Sequence, residues 1–205
     1  MDRIQCIAWD FDGVLNKNIV DGRFPWMDSL PERFGVDGAA FQKFIFRERF
    51  IPVMSGDVDV VDVLIEWKDA HGFEGDVHEV MEYWFSTDAV PCPDMMSLMD
   101  QVQAAGFRQV IATNNEHRRS SYIENEMGFS NRIERLFSSG RMKVAKPNFG
   151  YFRHIEQELD LKPEQIFFVD DYAENIEAAA ACGWQVHHFP ENGHADLSDR
   201  LSVIL

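Results

Sequence analysis

Near its amino end the chain reads IQCIAWDFDGVL, from Ile4 to Leu15. The apolar half of this stretch predicts a buried β-strand, which ends in two carboxylates and a glycine. Because side chains alternate along a strand, Asp10 and Asp12 project toward the same side. Two like charges this close are costly to bury without a cation or a proton. The stretch therefore fits either a solvated strand end with a turn at Gly13 or a metal-assisted carboxylate site.

Polar groups suited to phosphate and Mg²⁺ chemistry follow two later apolar runs. The run QVIATNN contains Thr113 and ends in two asparagines, and the run QIFFVDD ends in Asp170 and Asp171. The segment KVAKP, which contains Lys146, lies between them. In an open α/β sheet, ligands bind beyond the carboxyl ends of the strands. We therefore expect these distant segments to meet in one crevice.

This ordered set resembles the signature of the haloacid dehalogenase superfamily of phosphotransferases. That signature has Asp-x-Asp after the first strand, Thr or Ser after the second, then a lysine, and an acidic pair after the fourth. The matching residues are Asp10 and Asp12, Thr113, Lys146, and the pair Asp170 and Asp171. The run Asp-Asp-x-x-x-Asn that ends at Asn175 is also typical. The resemblance covers a core of about residues 1–15 and 90–205, and implies a Rossmann-like, doubly wound parallel sheet.

The residue types suit phosphoryl transfer. Asp10 is expected to be the nucleophile, since a carboxylate can form an aspartyl-phosphate and divide hydrolysis into two easier steps. Asp12 is expected to protonate the leaving alkoxide and then to activate water. Thr113, Asn114 and Lys146 are the expected phosphate-binding residues, with Lys146 supplying positive charge.

Each of these assignments has a structural alternative. Thr113 could instead be a hydroxyl that begins the following helix. Lys146 could be an exposed lysine before a turn proline, with Lys143 as its rival for the phosphate. The pair Asp170 and Asp171 could cap the next helix, and Asn175 could be a surface residue or could orient Lys146 or an acidic neighbour.

A Mg²⁺ ion is the expected cofactor, because it prefers oxygen ligands and usually takes one or two carboxylates. Asp171 is expected to bind the metal directly, and Asp170 either binds it directly or supports a direct ligand. The resemblance implies that Asp10 and the backbone carbonyl of Asp12 complete the protein ligands.

The segment of residues 16–89 differs from the rest, since it shows helical periodicity and no strand-like run. We expect a helical cap inserted between the first two core strands, as the resemblance implies, which closes over the site and excludes water. Its aromatic residues are expected to form mainly the core of the cap, and one or two of them could instead stack on a ring of the substrate. The candidates for selectivity are the basic residues Lys17, Arg23, Lys43, Arg47 and Arg49, with His117 and Arg118 as further candidates. A solvated ion pair at the surface is the alternative role of any one of the basic residues.

The core itself alternates strands and helices, which predicts a parallel sheet with helices on both faces. Strands are expected near residues 4–9, 108–113, 135–138, 166–169 and 184–188. Helices are expected near residues 94–105, 116–127, 149–159, 172–182 and 196–203.

Composition limits the partners. The 205 residues carry a net charge of -16, so neither nucleic acid nor an anionic membrane would be attracted. Three widely spaced cysteines, Cys6, Cys92 and Cys182, favour a reducing compartment, and no signal peptide is recognisable before the first strand. We expect a cytoplasmic monomer or homodimer.

The function expected from these patterns is Mg²⁺-dependent hydrolysis of a small phosphorylated metabolite, with a sugar phosphate as the first choice by resemblance. A phosphomutase of the β-phosphoglucomutase type and a binding protein without activity are the alternatives. The dehalogenase branch resembles this pattern but lacks the second aspartate, because its reaction needs no alkoxide protonation. The presence of Asp12 therefore favours phosphoryl transfer.

Overall fold

A single parallel β-sheet forms the centre of the protein. The computed structural model describes residues 3–20, 23–190 and 193–205. The strands are β1 Cys6–Trp9, β2 Arg108–Thr113, β3 Arg135–Ser138, β4 Ile166–Asp170 and β5 Gln185–His188. Their order in the sheet is β3-β2-β1-β4-β5. Trp9 in β1 lies level with Ile111 in β2 and with Val169 in β4, so the carboxyl ends of these three strands are neighbours.

Helices make up most of the remaining chain. They are α1 Leu30–Phe34, α2 Gly38–Lys43, α3 Phe50–Met54, α4 Val60–His71, α5 Val77–Thr87, α6 Pro93–Ala104, α7 His117–Asn125, α8 Ser139–Met142, α9 Phe149–Leu159, α10 Ala173–Ala181 and α11 His194–Ile204. A π-helical segment, Phe44–Glu48, joins α2 to the turn before α3. In the ranges that the structure describes, no helix has the length and apolarity needed to span a bilayer.

The sheet is buried on both faces, and the alternation of strand side chains explains how. Ile7 and Trp9 of β1 belong to an apolar cluster that includes residues of α6 and α11. Cys6 and Ala8 of the same strand belong to a second cluster, which includes residues of α9 and α10. Near-continuous apolar strands are typical of parallel sheets covered on both sides. The predicted α/β class with a doubly wound parallel sheet is confirmed.

The core elements lie where the sequence predicts them. All five predicted strands and all five predicted core helices are present, with ends that differ from the predictions by two residues or fewer. The short helix α8 was not predicted, because a single helical turn is too short to show a hydrophobic period.

The chain between β1 and β2 is helical and has an apolar cluster of its own. This cluster contains Trp26, Phe41, Leu64, Trp67 and Trp84 among its buried members. The predicted boundary of a cap at residues 16–89 stays a prediction.

The two connections to this helical segment run side by side. The N–H of Lys17 donates to the carbonyl of Val90 at 2.8 Å, and the N–H of Cys92 donates to the carbonyl of Leu15 at 2.9 Å. The chain therefore leaves the sheet and returns to it at one place.

The helical segment also contacts the core at α7 and α8. Gly56, just after α3, approaches Gly140 of α8 so closely that a Cβ at Gly56 would lie 2.0 Å from the carbonyl oxygen of Gly140. An ion pair joins Arg118 of α7 to Asp59, with Nε and Oδ1 2.8 Å apart. The close contact of two glycine backbones sets how near the segment lies to the core.

We expect Gly56→Ala to lower the free energy of unfolding more than Gly72→Ala does. Both glycines have positive φ, 71° and 65°, so each substitution forces alanine into a left-handed backbone conformation. This conformation costs about 1–2 kcal/mol. Only Gly56 would also clash with backbone, since nothing lies within 4 Å of a Cβ at Gly72. The clash should add about 1–3 kcal/mol in urea denaturation. Equal losses in the two variants would mean that this contact does not hold the segment to the core.

Candidate active site

The site residues lie at the carboxyl ends of three neighbouring strands. Asp10 directly follows β1, Thr113 is the last residue of β2, and Asp170 is the last residue of β4. All three side chains are buried. The structure thus brings together the strand ends that the sequence predicted to converge.

Lys146 joins two of these strand ends. Its Nζ lies 2.8 Å from Oδ1 of Asp10 and 2.6 Å from Oδ2 of Asp170. The ammonium is almost completely buried, with 1% of the side chain exposed. Burial alone would lower the pKa of Lys146, but the carboxylates of Asp10 and Asp170 raise it, so this lysine is charged. The alternative of an exposed lysine is wrong.

Asn114 holds the main chain of Lys146. Its amide oxygen accepts from the N–H of Lys146 at 2.9 Å, and its Nδ2 donates to the carbonyl of Lys146 at 2.9 Å. Asn114 also lines the cavity described below, but its amide is engaged with this backbone. The side chain of Asn114 therefore positions the lysine, and its binding of phosphate stays a prediction.

Asp170 is saturated with hydrogen bonds. Oδ1 accepts from the N–H of Tyr172 at 2.8 Å, and both carboxylate oxygens accept from Nδ2 of Asn175, at 3.1 and 3.0 Å. Together with Lys146, these donors hold the carboxylate in one orientation. Helix α10 begins after Tyr172 and has no side-chain cap, so capping is not the role of the acidic pair.

Asp171 has the opposite character. Its Oδ1 is buried and has no hydrogen-bond partner among the described residues. A Cβ at Gly13 would lie 2.5 Å from its Oδ2, so the carboxylate occupies space that only a glycine leaves open. Burial raises the pKa of Asp171 to about 6, and the charge of Asp170 adds to this. Lys146 opposes these two effects only in part.

The three carboxylates of Asp10, Asp170 and Asp171, called here the carboxylate cluster, fit a divalent cation. Each offers one oxygen, and these oxygens lie within 4.8 Å of one another. An oxygen-only donor set of this kind suits Mg²⁺. Asp171, with its unpartnered oxygen, is free to bind the ion, whereas Asp170 already serves Lys146 and Asn175.

Asp10 is buried between positive and negative groups. Burial raises its pKa well above the ordinary value, Lys146 opposes this, and the charges of Asp170 and Asp171 add to it. A cation bound to the carboxylate cluster would act in the same direction as Lys146 and favour the ionised, nucleophilic form.

Asp12 lies outside the carboxylate cluster and is held by amides. Its Oδ1 accepts from Nδ2 of Asn16 at 3.2 Å and of Asn18 at 2.7 Å. Its Oδ2 accepts from Nδ2 of Asn115 at 2.8 Å. The side chain is thus fixed beside the cluster without joining it, and the predicted contribution of Asp12 to a metal falls to its backbone carbonyl.

Thr113 is not a helix cap. Helix α7 is capped by Glu116, whose carboxylate accepts from the N–H groups of Arg118 and Arg119. The hydroxyl of Thr113 accepts from Nδ2 of Asn115 at 2.8 Å, so its own hydrogen is free to be donated into the site. Lys143, the alternative to Lys146, is exposed and pairs with Asp57 at 3.7 Å.

A cavity of about 430 Å³ lies against these residues. Asp10, Asp12, Thr113 and Lys146 line it on the side of the sheet. The helical segment contributes a set of rings, called here the aromatic roof: Phe24, Trp26, Phe46, Phe50 and Trp84. One cavity therefore joins the polar strand ends to a largely aromatic surface.

The candidate selectivity residues lie outside the lining of this cavity. The basic residues Lys17, Arg23, Lys43, Arg47 and Arg49 do not line this cavity, and neither do His117 and Arg118. Several form surface ion pairs instead, such as Arg49 with Glu66 at 3.1 Å. Moving the charged end of a long basic side chain from water into a cavity lined by aromatic rings costs free energy, so such side chains extend into water.

Sequence reasoning missed Arg119. This buried residue of α7 pairs through Nη2 with Oδ2 of Asp88 at 2.9 Å and lines the cavity. Asp88 also accepts from Nδ2 of Asn18 at 3.0 Å, and that amide contacts Asp12. Burial raises the pKa of Asp88 to about 7, against the effect of Arg119. Arg119 lies four residues before Ile123, so both side chains are on the same face of α7. Because Ile123 is buried, this spacing could have indicated that Arg119 is buried as well.

The family of the protein follows from comparison with known proteins. The model of the haloacid dehalogenase-like hydrolase family matches residues 4–183. The chain belongs to this family, and is a hydrolase of the haloacid dehalogenase-like type. No curated protein matches the chain significantly.

Solved structures share the fold at low sequence identity. A predicted HAD-like family hydrolase from Porphyromonas gingivalis has a TM-score of 0.79 and 17% identity, covering 99% of this chain and 98% of that one. A HAD family enzyme from Bacteroides thetaiotaomicron, in complex with magnesium and inorganic phosphate, has a TM-score of 0.74 and 16% identity, covering 90% and 93%. The L-2-haloacid dehalogenase from Xanthobacter autotrophicus, with chloropropionic acid covalently bound, has a TM-score of 0.66 and 15% identity, covering 90% and 77%.

We expect Mg²⁺ to raise the stability of the wild type and of Glu174→Gln, but not of Asp171→Asn. Glu174 is an exposed residue that lines the same cavity outside the carboxylate cluster, so it controls for a general loss of negative charge. Free Mg²⁺ at ten times its dissociation constant should add about 1.4 kcal/mol to the free energy of unfolding. Without metal, Asp171→Asn should be more stable than the wild type, because one repelling carboxylate is gone. Thermal unfolding with and without Mg²⁺ tests this, and equal stabilisation of all three proteins would contradict the site.

Proposed function

We propose that the protein is a Mg²⁺-dependent phosphatase that hydrolyses a small phosphorylated metabolite through an aspartyl-phosphate. The observation that carries this proposal is the buried ammonium of Lys146 between Asp10 and Asp170, beside the unpartnered oxygen of Asp171. These groups combine a nucleophile, positive charge for a phosphoryl group, and a place for a cation. The structural neighbour that carries magnesium and inorganic phosphate supports the same chemistry.

The first step transfers the phosphoryl group to Asp10. A carboxylate oxygen of Asp10 forms a bond to phosphorus, and the bond between phosphorus and the oxygen of the organic group breaks. Asp12 gives its proton to that departing oxygen. Lys146 and the hydroxyl of Thr113 stabilise the negative charge on the phosphoryl oxygens. When bound, Mg²⁺ supplies further positive charge for the phosphoryl group.

The second step releases inorganic phosphate. Asp12, now ionised, takes a proton from a water molecule, and the water oxygen attacks phosphorus. The bond between phosphorus and Asp10 breaks, which restores the starting carboxylate. The amides of Asn16, Asn18 and Asn115 keep Asp12 in position for both proton transfers.

Asp12 also favours phosphatase over dehalogenase activity. A halide leaves as a stable anion and needs no proton, whereas a sugar or alkyl alkoxide does. Release of a halide does not need a carboxylate held in place as Asp12 is, whereas release of an alkoxide does.

We also infer that residues 16–89 form a cap on a core of residues 1–15 and 90–205. The aromatic roof and the Gly56 contact with Gly140 support this division, because both bring the helical segment over the strand ends. A closed cap would exclude water and strengthen the electrostatic interactions inside.

The cysteines and the net charge favour a cytoplasmic protein that acts on small molecules. Cys6, Cys92 and Cys182 are free thiols, which favours the cytoplasm. The net charge of -16 argues against nucleic acid and anionic membranes as partners. We infer a monomer or homodimer that acts on small molecules.

Asp10→Asn should lose phosphatase activity by about 10⁴-fold or more, because an amide cannot attack phosphorus. The fold should survive, since Asp170 still pairs with Lys146. Activity on p-nitrophenyl phosphate with Mg²⁺, and with EDTA, measures this. Asp199→Asn, an exposed aspartate of α11, is the matched control and should retain full activity. Substantial turnover by purified Asp10→Asn, or by the wild type in EDTA, would refute the proposal.

Asp12→Asn should slow the release of an alkyl alcohol far more than the release of p-nitrophenolate. Nitrophenolate is a good leaving group and needs little protonation, so the two substrate classes should separate by about 10²–10⁴-fold. Rapid-quench burst kinetics isolate the first step, since loss of Asp12 also slows hydrolysis of the aspartyl-phosphate for both classes. If the burst slows equally for both, Asp12 is not the proton donor.

A further inference from the structure

We propose that the aromatic roof binds the organic group of the substrate, and that this group is an apolar ring or chain instead of a sugar. The inference rests on the proposed phosphatase function and names the substrate class of the same site. A sugar phosphate was expected from family resemblance, and the lining of the cavity argues for a different choice.

The rings of the roof form one continuous surface. Trp26 stacks on Trp84 with centroids 5.3 Å apart, and Phe46 meets the edge of Trp84 at 5.1 Å. Phe50 extends this surface beyond Phe46, at 5.6 Å. Because the rings support one another, the surface is formed before any ligand binds.

Part of the surface of the aromatic roof is not buried by packing within the protein. Trp26 and Trp84 are buried, but Phe24, Phe46 and Phe50 are only half-buried although they line the cavity. Met54 and Ile19, also half-buried, widen the apolar lining. What distinguishes Phe24, Phe46 and Phe50 from other half-buried rings of the helical segment is that they line the cavity. The remaining apolar surface is available to a ligand, and covering it is favourable.

A sugar would lose hydrogen bonds on entering this cavity. Each hydroxyl that leaves water needs a replacement partner, and an unpaired polar group is costly to bury. Among the described residues that line the cavity on the roof side, the buried polar atoms without partners are Oδ1 of Asn18, Nε1 of Trp26 and Oδ1 of Asp88. These atoms have almost no accessible surface, so they offer few replacement partners to the several hydroxyls of a hexose. The exposed polar residues of the lining, Tyr172 and Glu174, follow β4 and so lie on the side of the strand ends.

The phosphoryl group fixes which end of the substrate meets the roof. Lys146 and Thr113 attract the phosphoryl oxygens to the strand ends, and Asp10 must reach phosphorus. The organic group of the ester therefore extends away from the strand ends. The roof belongs to the same cavity and lines its other side, so the organic group meets the rings.

Cyclohexylmethyl phosphate and glucose 6-phosphate make a matched pair for the test. Both carry a six-membered ring on a primary carbon, and both release a primary alkoxide, so the demand for protonation by Asp12 is alike. We expect kcat/KM to be at least about tenfold higher for cyclohexylmethyl phosphate. A ratio of one, or a preference for glucose 6-phosphate, would overturn the inference while leaving the phosphatase function intact.

Substitution in the roof should remove this preference. Phe50→Ala should raise KM for cyclohexylmethyl phosphate about tenfold and affect methyl phosphate far less, since a methyl group is too short to reach the roof. Phe44→Ala is the matched control, because Phe44 is also a half-buried ring of the helical segment, but it contacts His71 and does not line the cavity. Met54→Thr repeats the test with a smaller change if Phe50→Ala does not fold. Equal effects on both substrates, or in both phenylalanine variants, would contradict the assignment.

Binding of a phosphonate separates this inference from the proposed function. Calorimetry on the Asp10→Asn protein, which should not hydrolyse esters, compares two ligands. The Kd of 2-cyclohexylethylphosphonate, which itself cannot be hydrolysed, should be at least about tenfold below that of glucose 6-phosphate. If no ester is hydrolysed but the phosphonate binds in this way, the phosphatase proposal fails and the apolar subsite stands. If esters are hydrolysed but the phosphonate binds no better than the sugar ester, the subsite fails and the phosphatase proposal stands.

Discussion

The arrangement of the whole site depends on one buried charge, the ammonium of Lys146. Removing a charge from water is expensive, and the cost is offset only by close, well-oriented partners of opposite charge. Asp10 and Asp170 supply these from two neighbouring strands, and Asn114 fixes the main chain of the lysine from a third. The donors on Asp170, from Asn175 and from the N–H of Tyr172, extend the constraint into the start of α10. Parallel strands whose ends lie level with one another are what allow residues so distant in sequence to meet around a single atom.

This ammonium does not neutralise its surroundings. The three carboxylates of the cluster face one ammonium, which leaves two negative charges when all are ionised. Burial raises the pKa of Asp171 to about 6, and the negative charge of Asp170 adds to this shift. A divalent cation matches the excess in charge and finds a carboxylate oxygen without a partner. The net charge of the chain repels anions, so the proposed attraction of a phosphoryl group would depend on local positive charge, from Lys146 and from the proposed ion.

The sequence predicted the parts of the site that belong to the ends of strands. Apolar runs followed by Asp10, Thr113 and Asp170 are local patterns, and the order of strands in a doubly wound sheet brings them together. What sequence reasoning could not reach depends on packing between distant segments. The amide of Asn114 holds Lys146 only because a loop approaches β2, and Arg119 is buried only because Asp88 returns beside it. For the basic residues of the helical segment the sequence offers only the type of charge, which does not reveal whether a side chain faces a cavity or water.

The roof and the strand ends are linked by more than the cavity between them. Arg119 of α7 holds Asp88 at the point where the chain returns from the helical segment, and Asn18, at the point where it leaves, contacts both Asp88 and Asp12. The carboxylate proposed to move protons is therefore bonded to the connections that carry the roof. A shift of the helical segment that displaced Asn18 would break a hydrogen bond to Asp12 at the same time. Correct placement of the organic group and correct orientation of the proton donor thus depend on the same few contacts, which ties substrate selection to the chemical step.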